Sequence, residues 1–126
     1  MNELGLCYEA GRGVEKDIHR AVELYRQAAQ SGMAAAQCNL GVLYREGLGV
    51  EQDDRKAAAL FRASAGQGFA RGQFLLGLHL EDGRGIDRDE KQAAQEYRRA
   101  AGQNYPNGMA ALARCYEHGV GLERNP

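Results

Sequence analysis

The sequence predicts an all-α fold, a right-handed superhelix (α-solenoid) of antiparallel helix pairs with a 36-residue repeat. Leucines recur at that spacing as Leu4, Leu40, Leu76 and Leu112. Two glycine columns recur with them, Gly11, Gly47, Gly83 and Gly119 and then Gly13, Gly49, Gly85 and Gly121. Small and aromatic columns follow, Ala21, Ala57 and Ala93 and then Tyr25, Phe61 and Tyr97. Most of the 17 glycines therefore mark a repeat and not a low-complexity segment.

Each repeat is predicted to begin with a helix, here called helix A, which spans about residues 33–46 in the second repeat. Ala36, Leu40 and Tyr44 form one stripe on a 3.6-residue period. Gly41 lies inside this helix, where glycine costs about 1 kcal/mol relative to alanine. We therefore expect the backbone of a neighbouring helix to approach closely at Gly41 and at the equivalent glycines of other repeats.

A glycine loop is predicted to follow helix A. Gly47 is expected to end the helix with a positive φ, Gly49 to let the chain turn, and Val50 to hold the loop on the core. A phosphate-binding loop is the alternative, but a dinucleotide fingerprint needs a strand before GxGxxG, and a P-loop needs GxxxxGK followed by Ser or Thr. Here a helix precedes the glycines and the third glycine is missing. We interpret the loop as a connector.

The second helix of each repeat, helix B, is predicted at about residues 53–66. Asp53 should start it, because its carboxylate can accept the free amides of the first turn, which is worth about 1 kcal/mol. Ala57, Phe61 and Ala65 then recur at i, i+4 and i+8 and should face helix A. Since one helix pair leaves apolar surface on both sides, neighbouring pairs must stack to bury it.

The chain is predicted to form a single repeat domain over residues 1–126. The repeats are 1–32, which lacks its start, then 33–68 and 69–104, which are complete, and 105–126, which is partial. Asn125 falls in the aspartate column and Pro126 suits a first helical position, so another helix B should begin there. We expect the natural array to be longer than this chain, or a helix to be missing from its end.

Composition argues against nucleic acid and membranes as partners. The charges are 16 Lys and Arg against 17 Asp and Glu, which does not favour nucleic acid or an anionic membrane surface. The apolar runs are only a few residues long, so we expect no membrane insertion. No secretory signal is visible at Met1, and Cys7, Cys38 and Cys115 form an odd set without a CxxC pair. Free, largely buried thiols and a cytoplasmic location are therefore favoured.

These repeats resemble the Sel-one-like repeat, a relative of the tetratricopeptide repeat. The segments Leu4–Ala29, Leu40–Ala65 and Leu76–Ala101 follow that family's pattern, LGxxYxxGxGVxxDxxKAxxxYxxAA, with small departures such as Leu80 for tyrosine and Ala113 for glycine. The resemblance implies an adaptor or scaffold with a concave surface lined by A helices. It transfers neither a partner nor a catalytic residue.

Catalytic and metal sites find little support in the residues. Cys115 and His118 lie three positions apart and His79 shares the Cys115 column, but zinc sites usually show more regular spacing and a fourth ligand. Nucleophilic catalysis would need a Cys or Ser beside an oriented His, and Ser31 and Ser64 lie where small residues pack. We expect no enzyme, no metal and no cofactor. A hydrolase-like enzyme on the same scaffold, or a structural spacer in a larger repeat protein, remains an alternative.

The favoured site is the concave groove, formed by A-helix side chains that point away from helix B. They are Asn2, Leu6, Glu9, Cys38, Val42, Arg45, Arg71, Phe74, Leu78, Glu81, Arg114 and Glu117, and Ala35, Asn107 and Ala110 face the same way. The apolar members would form a strip, edged by arginines and by glutamates. Such anchors suit an extended or helical peptide, so the sequence predicts an adaptor that binds another protein or peptide. Equally, Phe74 and Leu78 could simply pack against the next repeat.

Overall fold

The computed structural model describes residues 15–122, with side chains from residue 18 onward. Six helices lie in this range and no strand: α1 Glu15–Gln30, α2 Ala34–Glu46, α3 Asp54–Gly66, α4 Ala70–Asp82, α5 Glu90–Ala101 and α6 Pro106–His118. The helices α2, α4 and α6 are A helices, and α1, α3 and α5 are B helices. The all-α solenoid is confirmed. The predicted first A helix, Cys7 and the last four residues fall outside the described part.

Each described A helix ends at a glycine in the left-handed conformation. Gly47, Gly83 and Gly119 have φ values of 68°, 66° and 70°. Such values are strained for residues with a Cβ atom, which is why glycine recurs in this column. The prediction that Gly47 ends helix A is confirmed. Val50 is half-buried against the core, as expected for a residue that holds the loop in place.

The B helices begin at capping aspartates. A carboxylate oxygen of Asp53 accepts the backbone N–H groups of Arg55 at 3.0 Å and Lys56 at 3.1 Å. One repeat later, Asp89 accepts the backbone N–H of Gln92 at 3.0 Å. These bonds satisfy amides that the first helical turn leaves unpaired. The predicted start of helix B at Asp53 is confirmed to within one residue.

The aromatic column of the B helices fills the centre of each repeat. Tyr25, Phe61 and Tyr97 are all fully buried. A Cβ atom added to Gly41 would lie 2.7 Å from Cε1 of Phe61, and one added to Gly77 would lie 2.5 Å from Cε1 of Tyr97. Close approach at these glycines is therefore confirmed. The expected partner was wrong, because an aromatic ring of helix B approaches there and not a helix backbone.

The second glycine of the loop joins neighbouring repeats. Gly85 has a φ of 70°, and a Cβ added to it would overlap the carbonyl oxygen of Asp54 in the preceding helix B. Gly121 stands in the same relation to Glu90. The glycine thus permits the turn and also lets the loop rest directly on the backbone of the previous repeat. The sequence indicated only the turn.

The stack is closer on its A-helix side. The helix α4 contacts both α2 and α6, whereas contacts between successive B helices are sparser. The A helices therefore lie on the inner side of the stack, and the B helices spread apart on the outer side. Within residues 15–122 no helix is both long and apolar enough to cross a membrane.

Candidate functional site

A groove of about 320 Å³ lies on the A-helix face between α4 and α6. Its lining residues are Phe74, Leu78, Asn107, Ala110, Ala111 and Arg114. All except Ala111 are positions that the sequence placed on the concave side. The floor is apolar, and the amide of Asn107 and the guanidinium of Arg114 are its polar groups. The structure thus brings these residues of two successive repeats together.

The two large apolar residues of this groove belong partly to the core. Phe74 is half-buried, and its ring centroid lies 6.0 Å from that of Tyr97 and 5.9 Å from that of Tyr105. Leu78 is also half-buried and packs on the same core cluster. Each therefore packs against its neighbours and also presents apolar surface to the groove. Packing against the next repeat, which the sequence offered as the alternative for Phe74 and Leu78, therefore accounts for only part of their surface.

Cys38 does not line the groove, and its assignment to the concave surface was wrong. Its side chain is completely buried, in a cluster with Leu75 and Leu76 of the next A helix. Burial raises the pKa of its thiol to about 11, against the smaller opposing effects of Arg71 and Arg45. The thiol therefore stays protonated near neutral pH and is a poor nucleophile.

The remaining apolar strip is shorter than the sequence predicted. Val42 is half-buried against the same cluster as Cys38 and does not line the described groove. Asn2, Leu6 and Glu9 lie outside the described residues.

Glu81 and Arg114 form an ion pair between successive A helices. The guanidinium donates to both carboxylate oxygens, at 2.7 and 2.6 Å, and the hydroxyl of Tyr97 donates to the same carboxylate at 2.7 Å. Arg114 is the main reason that the pKa of Glu81 is lowered, and burial is the main reason that the pKa of Tyr97 is raised. The sequence predicted arginines and glutamates at the edge of the apolar strip, but it did not indicate that these two residues pair.

Three other predicted positions lie away from the described groove. Arg71 donates to the side-chain oxygen of Asn39 at 2.7 Å. Arg45 pairs with its neighbour Glu46 at 3.2 Å. Glu117 is exposed in the last turn of α6. A partner that contacted these residues would have to extend beyond the groove between α4 and α6.

The residues considered for metal binding differ in their burial. His79 is 2% exposed, its Nδ1 lies 3.0 Å from the carbonyl oxygen of Arg84, and its ring meets Phe61 edge-on at 5.0 Å. Cys115 is fully buried, which raises the pKa of its thiol, and His118 is exposed. Among the described residues, no three His, Cys, Asp or Glu side chains are grouped to hold a metal ion.

The two serines considered as nucleophiles make hydrogen bonds to backbone. Ser64 is fully buried and donates to the carbonyl of Ala34 at 2.9 Å, which ties α3 to α2. Ser31 donates to the carbonyl of Gln27 at 3.1 Å at the end of α1. A structural role accounts for both hydroxyl groups.

Sequence reasoning missed a second depression, on the outer side of the stack. This outer furrow has a volume of about 340 Å³ and is lined by Arg26, Ala29 and Gln30 of α1, Gln37, Leu40 and Tyr44 of α2, and Lys56, Ala59 and Leu60 of α3. A departure between repeats could have indicated it. One repeat later, Gln92 replaces Lys56 and Glu96 replaces Leu60.

Comparison with known proteins gives a consistent match to one repeat type. A family model described as Sel1 repeat matches residues 1–33, 34–69, 70–105 and 106–126. No curated protein matched the chain significantly.

Solved structures of similar fold include two relatives of high identity. A Sel1 repeat protein from Oxalobacter formigenes is 34% identical with a TM-score of 0.87, and the match covers 99% of this chain and 51% of that one. The protective antigen c5321 of uropathogenic Escherichia coli strains, which displays an SLR fold, is 40% identical with a TM-score of 0.90, over 98% of this chain and 27% of that one. This chain therefore spans about half the length of the first relative and about a quarter of the length of the second.

A third structure shows the shared fold alone. Helicobacter pylori cysteine rich protein B is 23% identical with a TM-score of 0.75, and the match covers 86% of this chain and 80% of that one.

Proposed function

This chain belongs to the Sel1 repeat family, and from that premise we propose that it is a non-enzymatic adaptor whose A-helix groove binds a segment of a partner protein. Sel1 repeats are generally protein–protein interaction modules. The groove between α4 and α6 supports assigning the binding site to particular residues. Its apolar floor of Phe74 and Leu78 is open to solvent on the inner side of the stack.

The chemistry of the groove favours recognition by apolar side chains. A few well-packed anchor side chains near the centre of a protein interface contribute most of its binding energy. A groove of about 320 Å³ is at the small end of ligand pockets, so it suits one or two anchor side chains of a peptide. The guanidinium of Arg114 already binds Glu81 through two hydrogen bonds, which offsets its charge. We therefore expect affinity to depend only weakly on salt.

The Glu81–Arg114 pair also fixes the walls of the groove before a partner binds. Glu81 lies on α4 and Arg114 on α6, so their two-bond contact holds the two groove helices at a set distance. Charge-assisted pairs with two parallel hydrogen bonds restrict geometry as well as adding energy. A preformed groove loses less conformational entropy on binding. This supports binding with little rearrangement of α4 and α6.

A filling substitution in the groove tests the proposal. Ala110 is exposed and lines the groove, whereas Ala63 is exposed on α3 away from it, so Ala110→Trp should block the groove and Ala63→Trp is the matched control. Peptides would be selected from a displayed library of random dodecapeptides on the unsubstituted protein. We expect Ala110→Trp to weaken their binding by at least about tenfold and Ala63→Trp to change it by less than about twofold.

Two further results would decide the outcome. Both variants should keep the circular dichroism spectrum and melting temperature of the parent, because both sites are exposed. Equal binding by the parent and the Ala110→Trp variant would show that the selected peptides do not use this groove. Replacing Phe74 and Leu78 with alanine is a less clean test, since both side chains also pack on the core and their loss would change stability.

A further inference from the structure

The outer furrow combines apolar surface with two cationic side chains. Leu40, Leu60 and the ring of Tyr44 contribute apolar surface between α1 and α3. Lys56 places its ammonium nitrogen 5.3 Å from the centroid of the Tyr44 ring. Arg26 reaches the same tyrosine, with Nη2 at 3.5 Å from its hydroxyl oxygen. The two cations therefore converge on one aromatic residue at the edge of the furrow.

These cations are available to a ligand carboxylate. No carboxylate among residues 18–122 forms a salt bridge with the ammonium of Lys56 within 4.0 Å. Arg26 pairs with Glu23 of its own helix at 3.6 Å, and these side chains are 42% and 56% exposed. Exposed ion pairs of this kind contribute little, so a ligand carboxylate can compete for the guanidinium. Arginine also suits carboxylates in particular because its fork can donate two parallel hydrogen bonds.

Comparison with the next repeat shows that stacking does not demand this set of residues. Leu80, Gln92 and Glu96 occupy the positions of Tyr44, Lys56 and Leu60. Glu96 is buried there and pairs with Arg99 at 3.1 Å. The helices stack in both places, so stacking does not require Tyr44, Lys56 or Leu60, although Arg62 and Leu76 keep the residue types of Arg26 and Leu40.

The furrow is elongated, which favours a polypeptide as its occupant. A second depression of about 330 Å³ shares Arg26, Tyr44 and Lys56 with the first and continues towards the loop before α3. Glu51 and Asp53 line that far end, so negative charge lies at one end and positive charge in the middle. We propose that the outer furrow is a second docking site, which binds an internal segment of a partner protein carrying an acidic side chain next to a bulky apolar one.

In this arrangement the acidic side chain of the ligand binds between Arg26 and Lys56. The neighbouring apolar side chain contacts Leu40 and Leu60. Residues of the ligand that extend towards Glu51 are neutral or basic, because an acidic residue there would be repelled. The proposal is separate from the A-helix groove, which lies on the inner side of the stack.

Synthetic decapeptides provide the probes. They are N-acetylated and C-amidated, so that only side chains carry charge, and they hold a central glutamate–phenylalanine or glutamate–leucine pair in a glycine–serine frame. Matched peptides replace the glutamate with glutamine. Binding is followed by chemical-shift changes of the ¹⁵N-labelled protein. We expect shifts at the furrow residues and at least about fivefold weaker binding of the glutamine peptides.

Two substitutions copied from the next repeat test the furrow itself. Lys56→Gln and Ala59→Gln introduce the residues that Gln92 and Gln95 place at the equivalent positions, so the fold should tolerate them. Each should weaken binding at least about fivefold, one by removing a cation and the other by filling the furrow. Ala63→Gln, at an exposed position of α3 outside both depressions, is the matched control and should bind normally.

The Ala110→Trp variant separates this proposal from the inner groove, because it should leave decapeptide binding unchanged. The proposal is overturned if none of the decapeptides binds, or if the glutamine peptides bind as well as the glutamate ones. It is also overturned if Lys56→Gln and Ala59→Gln bind like the parent, or if Ala110→Trp alone abolishes binding.

Discussion

At the scale of single residues, His79 is the described side chain with an unsatisfied buried atom. Its Nδ1 faces a carbonyl oxygen, that of Arg84, so Nδ1 carries the proton and Nε2 is an acceptor. Nε2 is buried and has no hydrogen-bond partner within the described residues. Burial lowers the pKa of this imidazole, and the charges of Arg45 and Arg84 lower it further, against the raising effects of the Arg84 carbonyl and Asp54. His79 is thus held neutral.

The structure predicts a loss of stability on mild acidification. The unfolded chain binds a proton at this imidazole near pH 6.5, whereas the folded chain binds it only at lower pH. The contribution of neutral His79 to the free energy of unfolding is therefore fully present above the unfolded pKa. It is lost as the pH drops through 6.5 towards the folded pKa. Thermal melting followed by circular dichroism should show a melting temperature that declines between about pH 7.5 and about pH 5.5.

Substitutions of individual histidines identify the residue that causes this pH dependence of the melting temperature. His79→Leu introduces the residue that Leu43 supplies at the same position of the preceding repeat, and it should flatten the pH dependence. His19→Gln and His118→Gln should leave the dependence as it is, since both side chains are exposed. A pH dependence that survives His79→Leu unchanged would mean that another group is responsible.

At the scale of helices, each complete pair depends on a glycine facing an aromatic ring. Gly77 of α4 lies against the ring of Tyr97 of α5, and the hydroxyl of that tyrosine donates to Glu81 of α4 at 2.7 Å. The ring is completely buried. It is therefore held both by packing and by its hydrogen bond, and it has little freedom to move away from an added methyl group.

Gly77→Ala should destabilise the protein by about 1–2 kcal/mol. Alanine favours the helix by about 1 kcal/mol over glycine, but overpacking in a well-packed core costs about 1–3 kcal/mol, and here the added carbon would lie 2.5 Å from a ring atom. Urea unfolding measures the net result. Gly66→Ala is the control, because no atom lies within 4 Å of its added Cβ, and it should be neutral or stabilising. A stabilising Gly77→Ala would show that the ring can move.

Helix bounds and packing columns could be predicted from the sequence, but depth within the stack could not. Cys38, Phe74 and Ala110 occupy the same position of successive repeats, yet they are fully buried, half-buried and exposed. The period fixes the direction in which a side chain points, whereas its exposure depends on how closely the next A helix lies. The pair of Glu81 and Arg114, 33 residues apart, likewise depends on stacking, and no column of the repeat contains it.

At the scale of the whole molecule, the glycine loops couple one repeat to the next. In a repeat array, the free energy of unfolding is approximately the sum of the intrinsic stabilities of the repeats and the contributions of the interfaces between neighbours. The loop at Gly85 rests on the backbone of α3, and the guanidinium of Arg84 pairs with Asp54 of the same helix at 3.0 Å. The loop at Gly49 instead has side-chain atoms of Val22 and Ile18 nearest to it, with the carbonyl oxygen of Ile18 slightly farther away. The two loops therefore provide a direct comparison of a rigid and a yielding contact.

Gly85→Ala should cost more stability than Gly49→Ala, by at least about 1 kcal/mol. Both glycines have similar φ values, 70° and 73°, so the backbone strain of about 1–2 kcal/mol is common to the two variants. At Gly85 the added carbon would overlap the backbone of Asp54, whereas at Gly49 the nearest atom is the side-chain Cγ2 of Val22, at 2.8 Å, and the nearest backbone atom, the carbonyl oxygen of Ile18, is 3.3 Å away. Urea unfolding followed by circular dichroism measures the difference.

The steepness of the unfolding transition gives a second readout. Because Gly85→Ala weakens the interface between α3 and the following pair, its transition should broaden, while that of Gly49→Ala stays as steep as the parent's. Equal losses in the two variants would mean that the positive φ alone requires these glycines and that the repeats are coupled through their helices and not through their loops.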